Sequence, residues 1–333
     1  MILPLYVSVP KALRRFKLLS LPKTLLSTLT VFLGARKSKS QRNTIFTFSI
    51  SEDYARVWHH FAVKNLPEGE WNIVIVDCAG DMDKTRFAGA EVVTFANLAH
   101  GAKIDVFLKK YLRSEIVFLC DDDKYILSDL SAAVHELDDP HVAAVSLAPR
   151  DWYTLRINGQ DFLPMGSYAL LLKRELFLKH RLSFKNVPQE FKNRVVAPGV
   201  KRPFGYDCGD YANEKLLELG YTIVTGRYRD CVLGFDGLSA PRIFLMRYGK
   251  QFALESLVAA AHFKKGSLNG VMARTLYGIV KFEELYRRMF QKDPTFVSGL
   301  TTADLRAVIR DPEVLASYDE TEQVYSRLEK LTM

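Results

Sequence analysis

The sequence lacks several features that would point directly to a function. It has no P-loop and no G-x-G-x-x-G pattern, which excludes two common phosphate-binding loops. It contains no internal repeat and no low-complexity tract, which excludes repeat architectures and long biased segments. Its four cysteines lie far apart and form no C-x-x-C pair. This spacing excludes a zinc ribbon and a disulfide framework, and it predicts buried free thiols in a reducing compartment.

The sequence also lacks an apolar run long enough to cross a bilayer. Leu18 to Leu33 is an apolar stretch of about sixteen residues, interrupted by Pro22 and Lys23, whereas a spanning helix needs roughly twenty. It has no small-residue cleavage site of the kind that ends a secretory signal. Basic residues flank it on both sides: Lys11, Arg14, Arg15, Lys17, Arg36, Lys37, Lys39 and Arg42. We therefore expect residues 1–43, the N-terminal arm, to lie on an anionic membrane surface; the alternatives are a poorly ordered extension or a helix packed on the body.

Composition and charge set the outer limits on function. Among 333 residues, 48% are hydrophobic and 25% are charged, which is ordinary for a folded chain of one large domain or two. The net charge of +8 admits nucleic acid, an anionic membrane or a polyanionic small substrate as partner. Because the positive charge concentrates at the termini beside apolar residues, we expect no nucleic-acid partner.

Strand-like and helix-like segments alternate between Thr44 and Cys120. The strand candidates are almost continuously apolar, which is typical of parallel strands covered on both faces by helices. The predicted strands are Thr44–Ile50, a strand ending on Asp77, Glu91–Phe95 and Ile116–Cys120, and the predicted helices begin near Ser51 and cover Ala99–Leu112. This order predicts an α/β fold with a Rossmann-like, mostly parallel sheet and flanking helices.

Three consecutive carboxylates follow the last of these strands: Asp121, Asp122 and Asp123, the acidic triplet. In strand geometry Asp121 and Asp123 would share one face, a pair suited to a divalent cation that keeps positions open for phosphate. In open α/β sheets the carboxyl ends of strands are also where ligands bind. The alternative is a polar cluster that caps a helix beginning near Ser128.

The order strand, helix, strand ending on Asp, helix, and strand closing on Asp-x-Asp resembles the nucleotide-sugar half of a GT-A glycosyltransferase, most nearly the family 2 type. The resemblance implies that Asp77 reads the nucleobase and that Lys103 lies near the nucleotide. It implies that the acidic triplet holds the ribose and a Mn²⁺ or Mg²⁺ on the diphosphate, with Asp121 and Asp123 as metal ligands and Asp121 and Asp122 contacting the donor.

The downstream half resembles the acceptor side of the same family. Asp161–Glu175 resembles the strand that closes the donor-sugar pocket, where Gly166 would allow close approach of the ligand. Pro203–Ile223 resembles the acceptor-side motif, in which one carboxylate is the catalytic base; we expect Asp207 first and Asp210 second. The alternative is that both acids cap the helix predicted over Tyr211–Leu219.

Two features depart from the family pattern. Many relatives supply a third metal ligand, often His, after the last strand. Here Asp236 in Leu233–Ser239 would have to serve. The first-strand motif, usually rich in Pro, Thr and Asn, is represented only by Ser49–Glu52, so the identity of the nucleobase stays open.

Three regions are expected: the arm at 1–43, a GT-A catalytic domain at 44–240 with halves 44–127 and 128–240, and a helical extension at 241–333. The resemblance implies a metal-dependent, hexosyltransferase-like enzyme, inverting, that moves a sugar from a UDP-sugar to a glycan or lipid-linked acceptor hydroxyl in glycan, polysaccharide or glycolipid synthesis. We expect it at the inner, cytoplasmic face of a membrane. The alternatives are a nucleotidyltransferase-type enzyme, although the Gly- and Lys-rich loop is absent, and a noncatalytic binding protein with this fold.

Overall fold

The computed structural model describes residues 21–149, 154–157, 159–185, 195–196, 208–258 and 268–332. The chain divides into two compact units, one up to Val232 and one from Leu233 onward. The strands are β1 (Asn43–Ser49), β2 (Trp71–Asp77), β3 (Ala90–Thr94), β4 (Ile116–Cys120), β5 (Lys124–Ile126), β6 (Val142–Ser146), β7 (Thr154–Ile157), β8 (Gln160–Phe162), β9 (Ala169–Lys173), β10 (Val195–Val196), β11 (Thr222–Thr225) and β12 (Val232–Gly234). The helices are α1 (Leu21–Phe32), α2 (Glu52–Asn65), α3 (His100–Val106), α4 (Ser131–His135), α5 (Arg174–Lys179), α6 (Asp210–Glu218), α7 (Ser239–Val258), α8 (Leu268–Phe290), α9 (Thr302–Val308) and α10 (Pro312–Leu331). A π-helical turn, Phe107–Tyr111, extends α3, and single 3-10 turns cover Lys84–Arg86, Glu136–Asp138 and Arg229–Cys231.

A seven-stranded sheet in the order β11-β6-β9-β4-β1-β2-β3 forms the centre of the first unit. Every neighbouring pair is parallel except the two that involve β9, which runs antiparallel to β4 and β6. This arrangement confirms the predicted α/β fold and its mostly parallel sheet. The chain runs outward from β1 to β3 and then returns to place β4 on the other side of β1. The strand order therefore reverses between β1 and β4, which is where open α/β sheets form a ligand crevice.

Helix α2 begins where the sequence predicts, because the Ser51 hydroxyl accepts a hydrogen bond from the Tyr54 N–H (3.5 Å). Four apolar residues stand at helical spacing on it and are fully buried: Val57, Trp58, Phe61 and Ala62. The strand ending on Asp77 is confirmed, and α3 with its π-helical turn fills the segment predicted as a helix. Strands β1 to β4 and the helices predicted between them thus follow from the apolar pattern and the Ser51 cap.

Two sequence interpretations are wrong in this half of the chain. No helix begins near Ser128, because β5 follows the acidic triplet directly and α4 begins only at Ser131. The segment Asp161–Glu175 contains two separate strands. Its first residues belong to β8, in a small sheet of order β10-β7-β8, and only Ala169–Lys173 joins the large sheet.

Helix α1 lies within the N-terminal arm and packs beside β3, where the rings of Phe32 and Phe95 stack with centroids 5.7 Å apart. A helix packed on the body is therefore correct for this part of the arm, whereas residues 1–20 lie outside the described part of the chain. No helix in the described residues is long and apolar enough to cross a membrane. All four cysteines are free, as predicted, and Cys78, Cys120 and Cys208 are buried.

The second unit is helical, which confirms the prediction for the C-terminal region. Helices α8 and α10 pack through the stacked rings of Tyr277 and Tyr318, whose centroids lie 4.0 Å apart. The Tyr277 hydroxyl donates a hydrogen bond to the Glu322 carboxylate (2.6 Å). Helix α10 begins at Pro312 because Asp311 accepts the N–H groups of Glu313 and Val314.

Candidate functional site

The acidic triplet lies at the carboxyl end of β4, where the strand order reverses. The Lys124 N–H donates to the Asp121 carbonyl (3.0 Å), so the triplet forms a turn between β4 and β5 and caps no helix. Because the triplet is a turn, the alternation of faces expected for a strand does not hold. Asp122 and Asp123 are both buried, and only Asp121 is partly exposed.

Asp122 joins the ends of β1 and β4. The hydroxyl of Ser49, the last residue of β1, donates to the Asp122 carboxylate and accepts the Ser51 N–H (3.2 Å). A charge-assisted hydrogen bond in a buried place is stronger than a neutral one. Asp122 therefore fixes the turn on the sheet and orients its neighbours.

Asp121 is the member of the triplet that solvent reaches, with 26% of its side chain exposed. Its N–H donates to the Tyr168 carbonyl (2.8 Å), and its carboxylate lies 3.7 Å from Nε2 of His100, the first residue of α3. Burial, and then the charges of Asp123 and Asp122, raise the pKa of Asp121 well above its usual range. A bound cation would relieve this repulsion, so the turn has the charge of a cation site.

Asp123 is buried in the turn that leads into β5. Burial, and then the charges of Asp123 and Asp122, raise the pKa of the Tyr125 hydroxyl well above its usual range. The Tyr125 ring stacks on Phe61 of α2, with centroids 5.3 Å apart. Of the two predicted metal ligands, Asp121 is therefore the more accessible one.

Asp77 lies at the end of β2, beside the reversal point. One of its oxygens accepts the N–H groups of Ala79 (3.0 Å) and Gly80 (2.6 Å), and the other accepts that of Met82 (3.3 Å). Asp77 therefore orders the loop after β2, and its contact with a nucleobase stays a prediction.

Lys103 is a buried lysine on α3 that reaches the same edge of the sheet. Its ammonium donates to the Asn97 side-chain carbonyl (3.0 Å) and contacts the Cys78 sulfur (3.6 Å), and it lies 5.0 Å from the centre of the Phe48 ring. Burial raises the pKa of the Cys78 thiol; Lys103 lowers it, and Asp77 and Asp122 raise it further. The structure thus brings the predicted residues Asp77, Lys103, Asp121 and Asp122 together at one edge.

Gly166 borders this edge through its packing. A Cβ at this position would lie 2.7 Å from the Ala148 carbonyl oxygen and 2.6 Å from the Tyr168 ring. The chain's own packing therefore requires glycine here, while the predicted approach of a ligand stays a prediction.

Asp210 is the first residue of α6 and is buried. It follows Gly209, whose φ of 91° lies in the left-handed region that favours glycine. One turn later, the Asn213 amide accepts the Met165 N–H (2.9 Å) and donates to the Met165 carbonyl (3.2 Å), which clamps α6 to the segment before β9. Gly209, and not Asp210, is the N-cap residue of α6, so Asp210 does not cap this helix. Asp207 lies outside the described residues, and a catalytic base at either acid stays a prediction.

Asp236 lies in the second unit, in a turn with a φ of 56°, and its role as a metal ligand stays a prediction. Among the described residues, no group of three or more His, Cys, Asp or Glu side chains has the geometry to hold a metal ion. Mg²⁺ is nonetheless usually held by one or two carboxylates together with substrate phosphates, so a complete protein cage is not required. The hard oxygen donors of the triplet and the raised pKa of Asp121 fit such an ion.

Sequence reasoning named Ser49 only within the first-strand motif. It assigned no supporting role to Ser49 or to three other residues at the site: His100, Tyr168 and Asn213. Ser49 and Tyr168 reach the triplet because β1 and β9 lie on either side of β4 in the sheet. The local sequence carries no signal for this strand order. His100 had a detectable signal, since it stands at the start of a predicted helix at the carboxyl edge, where helix N-termini meet ligands.

No protein-family model and no curated protein matches the sequence. The chain is similar to the solved mannosyltransferase PcManGT from Pyrobaculum calidifontis, in complex with GDP-Man and Mn²⁺, at 14% identity and a TM-score of 0.39 over 98% of this chain and 94% of that one. It is similar to S. aureus TarS 1-349 at 12% identity and a TM-score of 0.40, over 87% of this chain and 90% of that one. It is also similar to an active-site mutant of LgtC at 12% identity and a TM-score of 0.37, over 60% of this chain and 89% of that one.

Proposed function

We propose that the chain is a metal-dependent glycosyltransferase of the GT-A, family 2-like type, which moves a sugar from a nucleotide-diphosphate donor to an acceptor hydroxyl. The observation that carries the proposal is the acidic triplet at the carboxyl end of β4, where the strand order reverses beside the buried Lys103. Carboxylates that repel one another at a ligand-binding edge need a cation, and a buried ammonium nearby suits an anionic ligand.

One group of residues acts on the donor and its metal, and another acts on the acceptor. Asp121 and Asp123 would hold Mn²⁺ or Mg²⁺, which offsets charge on the leaving diphosphate as a Lewis acid. Asp122 keeps the turn in place through Ser49, and Lys103 adds positive charge at the nucleotide side. Asp207 or Asp210 removes the acceptor proton as the bond to the anomeric carbon forms, a single displacement that inverts this carbon.

The finer parts of the proposal follow the sequence resemblance. The donor is a UDP-sugar, the acceptor is a glycan or a lipid-linked glycan, and the protein acts at the inner face of a membrane. Asp77 contacts the nucleobase and Gly166 lies against the donor sugar.

The test is nucleoside-diphosphate binding to wild type and to Asp121→Asn, measured by calorimetry with and without Mn²⁺. Asp121→Asn keeps the shape of a partly exposed side chain and removes its charge, and Glu68→Gln is the matched control at an exposed carboxylate in the turn before β2. We expect metal-dependent binding of one nucleotide, weakened about tenfold or more in Asp121→Asn and unchanged in Glu68→Gln. Absence of metal-dependent binding in folded wild type would refute the proposal.

Product analysis separates the enzyme from its alternatives. Transfer of labelled sugar, or slow donor hydrolysis with release of nucleoside diphosphate, supports a glycosyltransferase. Release of pyrophosphate from a nucleoside triphosphate would identify a nucleotidyltransferase, and nucleotide binding without turnover would identify a binding protein.

A further inference from the structure

Helix α1 turns its apolar side to solvent. Its leucine face, defined as Leu25, Leu26, Leu29 and the following Leu33, is 51%, 65%, 55% and 79% exposed. A helix that packs on a protein core normally does the reverse and buries its apolar stripe. An exposed apolar patch of this kind marks an interaction surface.

The inner face of α1 is held to the sheet mainly by hydroxyl groups. The Ser27 hydroxyl donates to the Thr94 carbonyl (2.6 Å), and the Thr28 hydroxyl accepts the Ala96 N–H (2.9 Å). Val31 is fully buried, and the Phe32 ring stacks on Phe95. These contacts fix the orientation of α1, so the leucine face cannot turn inward without breaking them.

The segment that carries the leucine face has charged side chains of a single sign. Nine of the 46 basic residues and none of the 38 acidic residues lie in the first 42 positions, so the remaining 291 residues carry 37 basic and 38 acidic side chains. The positive net charge of the chain thus resides in the arm. Lys23, Lys37 and Lys39 of the arm are exposed, and the exposed Lys110 lies next to Gly34, the residue after Leu33.

The residues that α1 contacts lie next to residues of the candidate site. The Thr94 carbonyl that accepts from Ser27 belongs to a residue whose hydroxyl lies 3.5 Å from the Asp77 carboxylate. Ala96, bonded to Thr28, precedes Asn97, which accepts a hydrogen bond from Lys103. The leucine face is therefore held beside the carboxyl edge of the sheet.

We infer that α1 docks the chain on an anionic bilayer, with the leucine face in the acyl boundary and the surrounding lysines among the lipid headgroups. This combination of a leucine surface and one-signed basic charge matches a helix lying in the membrane interface. A protein groove or a second copy of the chain would also cover leucines, but neither calls for a segment free of acids. Given the proposed function, this docking holds the donor site at the membrane surface, where its acceptor hydroxyl belongs to a membrane-embedded lipid.

The test is sedimentation of the full-length chain with phosphatidylcholine vesicles, prepared with and without phosphatidylglycerol. The variant Leu26→Gln/Leu29→Gln removes two exposed leucines from the face. The control Val63→Gln/Leu219→Gln removes two apolar side chains that are each 50% exposed elsewhere in the same unit. We expect wild type and control to bind anionic vesicles. The leucine variant should bind them with an affinity at least about tenfold lower. High salt should weaken the binding of wild type as well.

Three outcomes would overturn the inference: no binding of wild type to anionic vesicles, equal binding of both variants, or equal binding to neutral and anionic vesicles. A wild-type oligomer that the leucine variant dissociates, without vesicle binding, would assign the face to a second copy instead. Nucleotide binding is measured without vesicles, so a failure of the proposed function leaves this result unaffected, and the reverse holds too.

Discussion

Replacing Gly101 by alanine tests the placement of α3, the helix that carries His100 and Lys103 to the site. A Cβ at Gly101 would lie 2.1 Å from the carbonyl oxygen of Phe184 and 2.9 Å from the Cα of Lys185. Both atoms belong to the backbone, so α3 and this segment must separate by about 1 Å in a closely packed interior. The separation would stretch two hydrogen bonds to Asp105, from the Phe184 N–H (2.7 Å) and from the Ser183 hydroxyl (2.6 Å).

Gly101→Ala should destabilise the protein, whereas the same change in an open helix stabilises it. In an open helix, replacing glycine by alanine stabilises the protein by about 1 kcal/mol. Here overpacking costs about 1–3 kcal/mol, and loss of a charge-assisted hydrogen bond costs about 1.5–3 kcal/mol more. We therefore expect the free energy of unfolding of the first unit to fall by about 3 kcal/mol, together with weaker nucleotide binding.

Urea unfolding followed by tryptophan fluorescence suits this measurement, because Trp58, Trp71 and Trp152 all precede the unit boundary. Asp105→Ala and the double variant Gly101→Ala/Asp105→Ala complete a double-mutant cycle. If both changes act through the same contact, the double variant should lose less than the sum of the two single losses. A Gly101→Ala protein at least as stable as wild type would refute the described contact between α3 and the Phe184 backbone.

Two further predictions concern buried polar side chains. Asn213→Ala leaves the Met165 N–H and carbonyl without partners in a buried place, so we expect a loss of about 3 kcal/mol in the same unfolding assay; an unchanged unfolding midpoint would show that the clamp contributes nothing. Lys103→Met should weaken nucleoside-diphosphate binding about tenfold by calorimetry without lowering stability, since burying the ammonium is itself costly. The exposed Lys84→Met is its control, and equal nucleotide affinity in both variants would remove Lys103 from the site.

Strands β1 to β4 were predictable from the sequence because they are almost continuously apolar, and Ser51 marks the start of α2. The apolar run ending on Asp77 and the Ser51 cap both lie where the pattern predicts. The gathering of Asp77 and the acidic triplet was also predictable, since parallel strands bring their carboxyl ends to one edge.

What could not be predicted depends on contacts between distant parts of the chain. The acidic triplet was interpreted with strand alternation, but the turn to β5 places Asp122 and Asp123 inside. Its partner Ser49 lies 73 residues away from Asp122, and local propensity says nothing about such pairs. The packing of α1 beside β3 could not be predicted either, because an amphipathic pattern does not say which side of a helix meets the protein.

The contacts of α1 have a consequence for how the chain can be shortened. Strand β3 is the last strand of the large sheet, and side chains of the arm reach its open side: Ser27 at the Thr94 carbonyl and Arg36 at the Val92 carbonyl (3.4 Å). An uncovered edge strand offers its backbone to strands of other molecules and promotes aggregation. A chain that begins at Asn43, chosen to remove the apolar residues, would expose this edge. Truncation would therefore remove the exposed leucine face but uncover the backbone of an edge strand. Polar substitutions on the leucine face keep the edge covered and are the better way to reduce aggregation.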